Sequence, residues 1–359
     1  MTDIKKEKAL IAMSGGVDSS VAAYLALHSG YECTGCMMKL YEGNSDSDVS
    51  SCCSADDAED ARAVAHRLGI PFYVFNYTDI FRREIIDRFT DYYLRGLTPN
   101  PCIDCNRIMK FGALMQRADE LGCRYVVTGH YARIERDGGS GLWQLKKASD
   151  PAKDQSYVLY QLTQEQLSRI LLPLGGMDKG QVRGIAGQQG FINAHKSESQ
   201  DICFIPDGNV ADAVRKYTGA DPAPGDFVDS EGRILGRHRG ICSYTIGQRR
   251  GLGIAHESPL YVCGIDVAGN RIILGSDSDL FSDTAHLRCV NWISGSIPED
   301  EVRCSVRIRY HAPEVPATVK PLPEGAALVS FDRPVRAVTP GQSAVFYDGD
   351  TVLGGGEIV

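Results

Sequence analysis

One short stretch, Ser14-Gly15-Gly16-Val17-Asp18-Ser19-Ser20, restricts the fold more than any other part of the chain. In front of it lies Lys8-Ala9-Leu10-Ile11-Ala12-Met13, which reads as a buried strand. Behind it lies Val21-Ala22-Ala23-Tyr24-Leu25-Ala26-Leu27, which is helical in composition. A glycine-rich turn from strand to helix points its backbone amides inward, and the helix N-terminus adds partial positive charge, so the geometry suits a phosphate. Gly15 and Gly16 allow close backbone approach and a positive φ where one is required. Ser14, Ser19 and Ser20 add hydroxyl donors. No Lys-Ser/Thr pair closes the turn, so it is not of the Walker A type. Asp18 has two compatible readings: holding Mg²⁺ on the phosphates, and stabilising the helix dipole as an N-terminal acid.

A chain of 359 residues predicts two or three domains. No apolar run approaches the length of a membrane span, and Met1 to Lys8 is polar and short, so a cytoplasmic protein without a membrane partner is expected. Twelve cysteines in such a chain are not expected to form a disulfide framework. The net charge of −8 argues against bulk electrostatic binding of nucleic acid. Residues 206–359 are also acidic, with 15 Lys+Arg against 20 Asp+Glu, yet 13 of those cations are Arg. The guanidinium fork suits phosphates and base edges, so a local RNA-binding patch stays open.

Taken in order, a second strand is expected over 31–41, with Cys33 and Cys36 pointing to opposite faces and so unable to chelate together. Residues 43–50 read as a polar loop. Ser54-Ala55-Asp56-Asp57 reads as a capping box before a helix that Gly69 and Pro71 stop. Cys52 and Cys53 precede it as packing residues. A third strand over 72–77, a helix over 79–95, a two-proline loop over 98–106, a helix over 107–121 and a strand over 124–128 follow. Strands alternating with helices at this spacing predict a parallel α/β sheet, with ligands at the C-terminal strand ends. A hairpin and helical segments over 164–171 and 179–189 complete this half. Past Pro222-Ala223-Pro224-Gly225, short β-type runs separated by Gly, Pro and Asp continue to the end. The expected domains are 1–205 (nucleotide-binding and catalytic), 206–288 (a small β domain) and 289–359 (a β-barrel).

The loop itself resembles the PP-loop of ATP pyrophosphatases, which have an adenine nucleotide alpha hydrolase-like fold. A wider set of motifs resembles one family, the tRNA-specific 2-thiouridylases. The set comprises residues 13–20, Pro99-Asn100-Pro101 with Cys105-Asn106, Thr128-Gly129-His130-Tyr131, Lys153-Asp154-Gln155-Ser156-Tyr157, Ile202-Cys203-Phe204-Ile205, residues 246–253 and residues 340–347. The resemblance spans nearly the whole chain and implies ATP-dependent 2-thiolation of the wobble uridine (U34) in the tRNA anticodon stem-loop. It implies ATP contacts from Ala12, Met13, Ser14, Gly15, Gly16, Val17, Asp18 and Ser19, with Met38 and Gly129 at the adenine. It also implies tRNA contacts from Asn100, Pro101, Cys102, His130, Lys153, Asp154, Gln155, Arg309, Tyr310 and Gln342. Bare sequence reads Met38 as core, His130 either as an RNA contact or as a structural histidine, and the other polar positions as surface.

The chemistry fits the resemblance. The C2 carbonyl of uracil is a poor electrophile, and adenylation of its oxygen makes AMP a leaving group. Sulfur transfer then needs one cysteine to carry sulfur and a second to release it, with a lowered thiol pKa such as a helix N-terminus gives. By the family pattern Cys203 carries the persulfide and Cys105 is its nucleophilic partner. The family has an acidic residue where Cys102 stands, and nothing in the sequence indicates that nearby Asp104 replaces it. Cys102, Cys105 and Cys203 also make three candidate ligands for a [4Fe-4S] cluster with one open iron, so a persulfide route and a cluster route both stand. The sulfur donor is a protein or sulfide. The alternative function is a PP-loop enzyme that adenylates a small carboxylate or carbonyl.

Overall fold

A computed structural model describes residues 6–41, 55–197, 202–205 and 208–359. Three strands, β1 (Lys8–Ala12), β2 (Glu32–Lys39) and β3 (Phe72–Asn76), pair in parallel, and β4 (Tyr125–Val127) pairs in parallel on the far side of β1. Along β1, Leu10 packs into one apolar layer while Ala9 and Ile11 pack into another. Both faces are therefore covered, as a parallel sheet requires. The opposite placement of Cys33 and Cys36 is met, because each joins a different layer.

Helix α1 (Val17–His28) and α2 (Ala55–Leu68) cover one face. The other face is covered by α3 (78–94) and α4 (101–120), each widened by a π-type segment, at Arg82–Ile86 and Cys105–Ala113. The start of α4 corrects the expected two-proline loop. Pro101 occupies the first helical position, where its missing N–H costs nothing, and the Asn100 side chain accepts from the Cys102 N–H at 3.2 Å. Cys102 thus lies in the first turn. Cys105, expected at the end of that loop, lies in the second. The polar loop over 43–50, Cys52, Cys53 and the capping Ser54 fall outside the described residues.

The hairpin β5 (Arg133–Arg136) and β6 (Trp143–Lys146) leaves the parallel sheet, and β7 (Ile170–Leu171) returns to extend it beside β4. A helix was expected through residue 171. It ends after one turn, Gln164–Leu167, where the Ser168 hydroxyl bonds back to the Glu165 carbonyl, and Ile170 pairs with Val126. Helix α5 (Lys179–Gln188) packs on α1.

After α6 (Val210–Thr218), strands β8 (Gly225–Val228), β9 (Ile234–His238), β10 (Tyr261–Asp266) and β11 (Arg271–Gly275) form a four-stranded sheet with its own apolar core. Six further strands follow: β12 (Phe281–Trp292), β13 (Val302–Arg307), β14 (Val315–Leu322), β15 (Ala326–Arg336), β16 (Ser343–Asp348) and β17 (Thr351–Ile358). They run in spatial order 12-15-14-13-16-17, and β17 closes back on β12 as a barrel. On β16, Ala344 and Phe346 fill the barrel, while Val345 and Tyr347 face the first domain's core. The β6 strand pairs with β17, so the first domain adds a hairpin to the barrel's sheet.

Candidate active site

At the end of β1 the chain turns through Gly15 at φ +75°, a conformation that disfavours any side chain. A Cβ there would lie 2.4 Å from the Asp57 carbonyl oxygen of α2. Gly16 differs: it is the N-cap of α1 at φ −88°, an ordinary value, so only one of the two glycines uses its conformational freedom. The turn is held from within by Ser19, whose hydroxyl donates to the Gly16 carbonyl at 3.0 Å and accepts from the Ser14 N–H at 3.1 Å. It is held from behind by buried Asn193, whose Nδ2 donates to the Gly15 carbonyl (2.8 Å) and to Ser20 Oγ (3.0 Å). After β4, Gly129 lies against the start of α1. A Cβ on it would come within 2.8 Å of the Ser19 nitrogen.

A cavity of about 380 Å³ opens at these strand ends. All the expected nucleotide residues line it except Gly15, which is pressed against α2. Lys110, Lys179 and Lys196 also line it, from three separate parts of the first domain. Sequence reasoning missed all three, because nothing local marks a lysine whose partner lies far along the chain. Lys196 reaches Asp57 and Asp60 at 2.6 Å each. Lys179 reaches both Asp18 oxygens, at 2.7 and 2.9 Å, and Asp18 Oδ1 also accepts from the Tyr131 hydroxyl at 2.8 Å. The Asp18 carboxylate therefore already carries a cation, and it suits a metal ion at the same place.

His130 is buried at the cavity wall. Its Nδ1 pairs with Thr128 Oγ1 at 2.7 Å and its Nε2 lies 3.4 Å from Lys110 Nζ. Because an ammonium only donates, Nε2 accepts and Nδ1 carries the proton. Burial, reinforced by Lys110, holds the imidazole well below its usual range and keeps it neutral. Gln155 joins the wall, and its Oε1 accepts from the Tyr131 N–H at 2.9 Å.

Of the cysteines, Cys102 is exposed, while Cys105 and Cys203 are half-buried against the same apolar core. The Cys203 segment is pinned by Phe204, whose ring meets Phe81 and Phe89 edge-on, and by the Tyr41 hydroxyl, which donates to the Cys203 carbonyl at 2.9 Å. Among the described residues no three His, Cys, Asp or Glu side chains come together to hold a metal ion. Asp104 is engaged elsewhere, with Arg88 at 3.0 Å and Arg107 at 3.1 Å. Burial pushes the Cys33 thiol up to about 11 and raises Cys36 as well, so neither offers a thiolate.

The residues expected to face RNA divide into two groups. Arg309 is exposed, and Lys153 and Tyr310 are half-buried. Asp154 is buried: its Oδ1 accepts from the Ala148 and Ser156 N–H groups and its Oδ2 from the Ser156 hydroxyl. The Tyr310 hydroxyl donates to the Asp154 carbonyl at 3.1 Å. Burial raises the Tyr310 phenol, and the nearby Asp154 charge adds to the rise. Pro101 is buried and Asn100 caps α4. The Gln342 side chain donates to the Thr98 carbonyl at 2.8 Å, just ahead of that cap.

Comparison with known proteins follows the same three parts. Residues 7–207 match the family described as the tRNA methyl transferase HUP domain, residues 211–276 its PRC-barrel domain, and residues 282–358 an aminomethyltransferase beta-barrel domain. The chain is 47% identical over 353 residues to a tRNA-specific 2-thiouridylase MnmA of Clostridioides difficile, covering 98% of each chain. It is likewise 47% identical over 355 residues to the protein of that name in Magnetococcus marinus, covering 98% of this chain and 99% of that one.

Proposed function

This chain belongs to the tRNA-specific 2-thiouridylase family, and from that premise we propose that it uses ATP to replace the C2 oxygen of wobble uridine U34 in tRNA with sulfur. The observation that carries the reading is the single cavity at the strand ends, where the serine-glycine turn, Met38 and Gly129 converge with three lysines. ATP lies with its phosphates on the turn and on the α1 N-terminus. Asp18 is the residue that would hold the accompanying Mg²⁺, which supplies positive charge on the phosphates when bound.

In the first step the uracil O2 attacks the α-phosphorus, the bond to the β-phosphate oxygen breaks, and pyrophosphate leaves. Lys110, Lys179 and Lys196 supply charge to meet it. The C2 carbon then bears AMP as a leaving group. A persulfide on Cys203, loaded by a sulfur donor protein or by sulfide opening a Cys105–Cys203 disulfide, attacks C2 through its terminal sulfur, and AMP departs. The Cys105 thiolate attacks Cys203 Sγ, the S–S bond breaks and the sulfur stays on C2. The resulting Cys105–Cys203 disulfide is opened by the next sulfide on the sulfide route, and on the donor-protein route it needs two electrons from an external thiol to reset. The pair must approach to a Cα separation within about 7 Å at that stage. Cys102, in the first turn of α4, is auxiliary in this route. Arg309, Tyr310 and Gln342 of the barrel and Lys153 of the first domain face the tRNA, in the cytoplasm.

The test is pyrophosphate release with and without tRNA, followed by mass spectrometry of the tRNA nucleosides after incubation with protein, ATP and sulfide. The expected result is tRNA-dependent release and 2-thiouridine at position 34. Release driven by a small carboxylate, and not by tRNA, would overturn the reading in favour of a small-molecule adenylating enzyme.

A further inference from the structure

We propose that Lys179 is a phosphate-binding residue that, without nucleotide, holds on Asp18 the place of the nucleotide's divalent cation. The inference rests on the ATP-binding reading above and deepens it. Its basis is that one carboxylate would have to serve two cations. Lys179 Nζ sits across both Asp18 oxygens, at 2.7 and 2.9 Å, and lines the nucleotide cavity. The Tyr131 hydroxyl fixes the same carboxylate at 2.8 Å, so Asp18 cannot swing to a new partner without losing a second bond. A metal ion arriving with ATP must therefore take oxygens that the ammonium now occupies.

The lysine is placed to move where the aspartate is not. It stands at the first position of α5, and that helix start is locked by a capping box in which Asp178 and Gln181 bond each other's backbone N–H groups. The backbone is thereby fixed, and the four-carbon side chain becomes a lever with a compact charge at its tip.

Charge balance favours the exchange. Lys179 neutralises an acid that is only part-exposed. Asp18 would hold the divalent cation that accompanies a triphosphate, and Lys179, which lines the same cavity, would then turn its ammonium to the phosphates. Lysine and metal compete for Asp18 but cooperate on the nucleotide.

The experiment measures ATP binding to the full chain by calorimetry across a Mg²⁺ titration, without tRNA and without turnover. Lys179→Met should weaken ATP binding at saturating Mg²⁺ by about 10- to 100-fold, the range for losing a charged hydrogen-bonding partner. It should also move the Mg²⁺ midpoint to lower concentration, because the competitor on Asp18 is gone. Lys179→Arg keeps the ion pair, and with it the local fold, and its fork grips both oxygens more firmly. Its midpoint should move to higher Mg²⁺. Opposite shifts in the two variants support the exchange. Midpoints unmoved in both variants, with wild-type binding intact, overturn this inference alone. A wild-type protein that binds no ATP overturns the functional reading beneath it.

Discussion

The nucleotide cleft and the seam between the first domain and the barrel are built by different means. In the cleft the backbone sets the shape: Gly15 sits where no side chain fits, Gly129 lets β4 approach α1, and serine hydroxyls close the turn on itself. At the seam side chains share the holding with backbone pairs. The Thr98 N–H donates to the Pro340 carbonyl at 2.9 Å and Gln342 reaches back to the Thr98 carbonyl. Arg88 joins Asp104 of the cysteine helix to Glu357 of the barrel, and the Tyr157 hydroxyl donates to the Ser343 carbonyl at 2.8 Å. A backbone site fails abruptly at one position. A seam of dispersed polar bonds fails gradually, and its failure should reach the cysteines before it reaches the nucleotide.

The largest expected effect separates the two regions outright. Cys105→Ser and Cys203→Ser should each reduce thiolation to background while leaving ATP affinity and tRNA-dependent pyrophosphate release within a few-fold of wild type. Cys102→Ser, at an exposed first-turn position, should keep substantial activity. Thiolation that survives in Cys203→Ser would remove the persulfide route and with it the division between the regions.

Within the cleft, the two adjacent glycines should behave unequally. Gly15→Ala meets the Asp57 carbonyl at 2.4 Å and a positive φ, so ATP binding should be lost, with destabilisation of about 1–3 kcal/mol from the strained residue and more from the clash. Gly16→Ala meets only Ser14 Oγ, at 3.4 Å, in an ordinary conformation, so the fold should be unaffected and any loss confined to nucleotide affinity. Equal melting temperatures for the two variants would show that the turn is not held as described.

How much of this was readable beforehand follows the same division. The Ser14–Ser20 turn was legible because strand, turn and helix are contiguous, and local chemistry alone constrains them. Lys179, Tyr131 and Asn193 did not, because each meets the turn only after more than a hundred residues of chain have folded. The start of α4 was misplaced because Pro101 reads equally as a loop-former and as a first helical residue, and only the Asn100 cap decides. Asp154 reads as surface in a polar run, yet its carboxylate is the hub of a buried turn. That the predicted hairpin joins the barrel's sheet depends on β17, some two hundred residues later. Burial explains Met38 both ways, since a residue at a strand end belongs to the core and to the cavity wall together.

At the seam, single changes should act at a distance. Gly341 has φ +90°, and a Cβ on it would lie 2.9 Å from the Thr98 nitrogen, so Gly341→Ala pushes the barrel turn off the segment that leads into α4. Gln342→Ala removes one hydrogen bond, worth about 1 kcal/mol. Both should lower thiolation and tRNA affinity, the glycine variant more, while ATP affinity measured without tRNA stays at the wild-type value. A fall in ATP affinity matching the fall in thiolation would mean that cleft and seam are one unit.

The smallest expected effect is a pH dependence that belongs to the cleft alone. His130 is held neutral in the folded protein by burial and by Lys110. In the unfolded chain it takes up a proton near pH 6.5. The folded pKa is the lower one, so stability from this group is present above about pH 6.5 and is lost as pH falls below it. The loss runs at up to about 1.4 kcal/mol per pH unit until the folded pKa is reached. His130→Gln removes the titration but keeps an amide for Thr128 and Lys110. The stability gap between wild type and this variant, from denaturant unfolding, should therefore shrink between pH 7.5 and pH 5.5. Lys110→Met removes the second cause and leaves burial, so its wild-type-like histidine should show the same loss beginning at the same pH. A gap that is constant across that range would mean that His130 takes up its proton as readily in the folded protein as in the unfolded chain, and the neutral imidazole would have to be withdrawn.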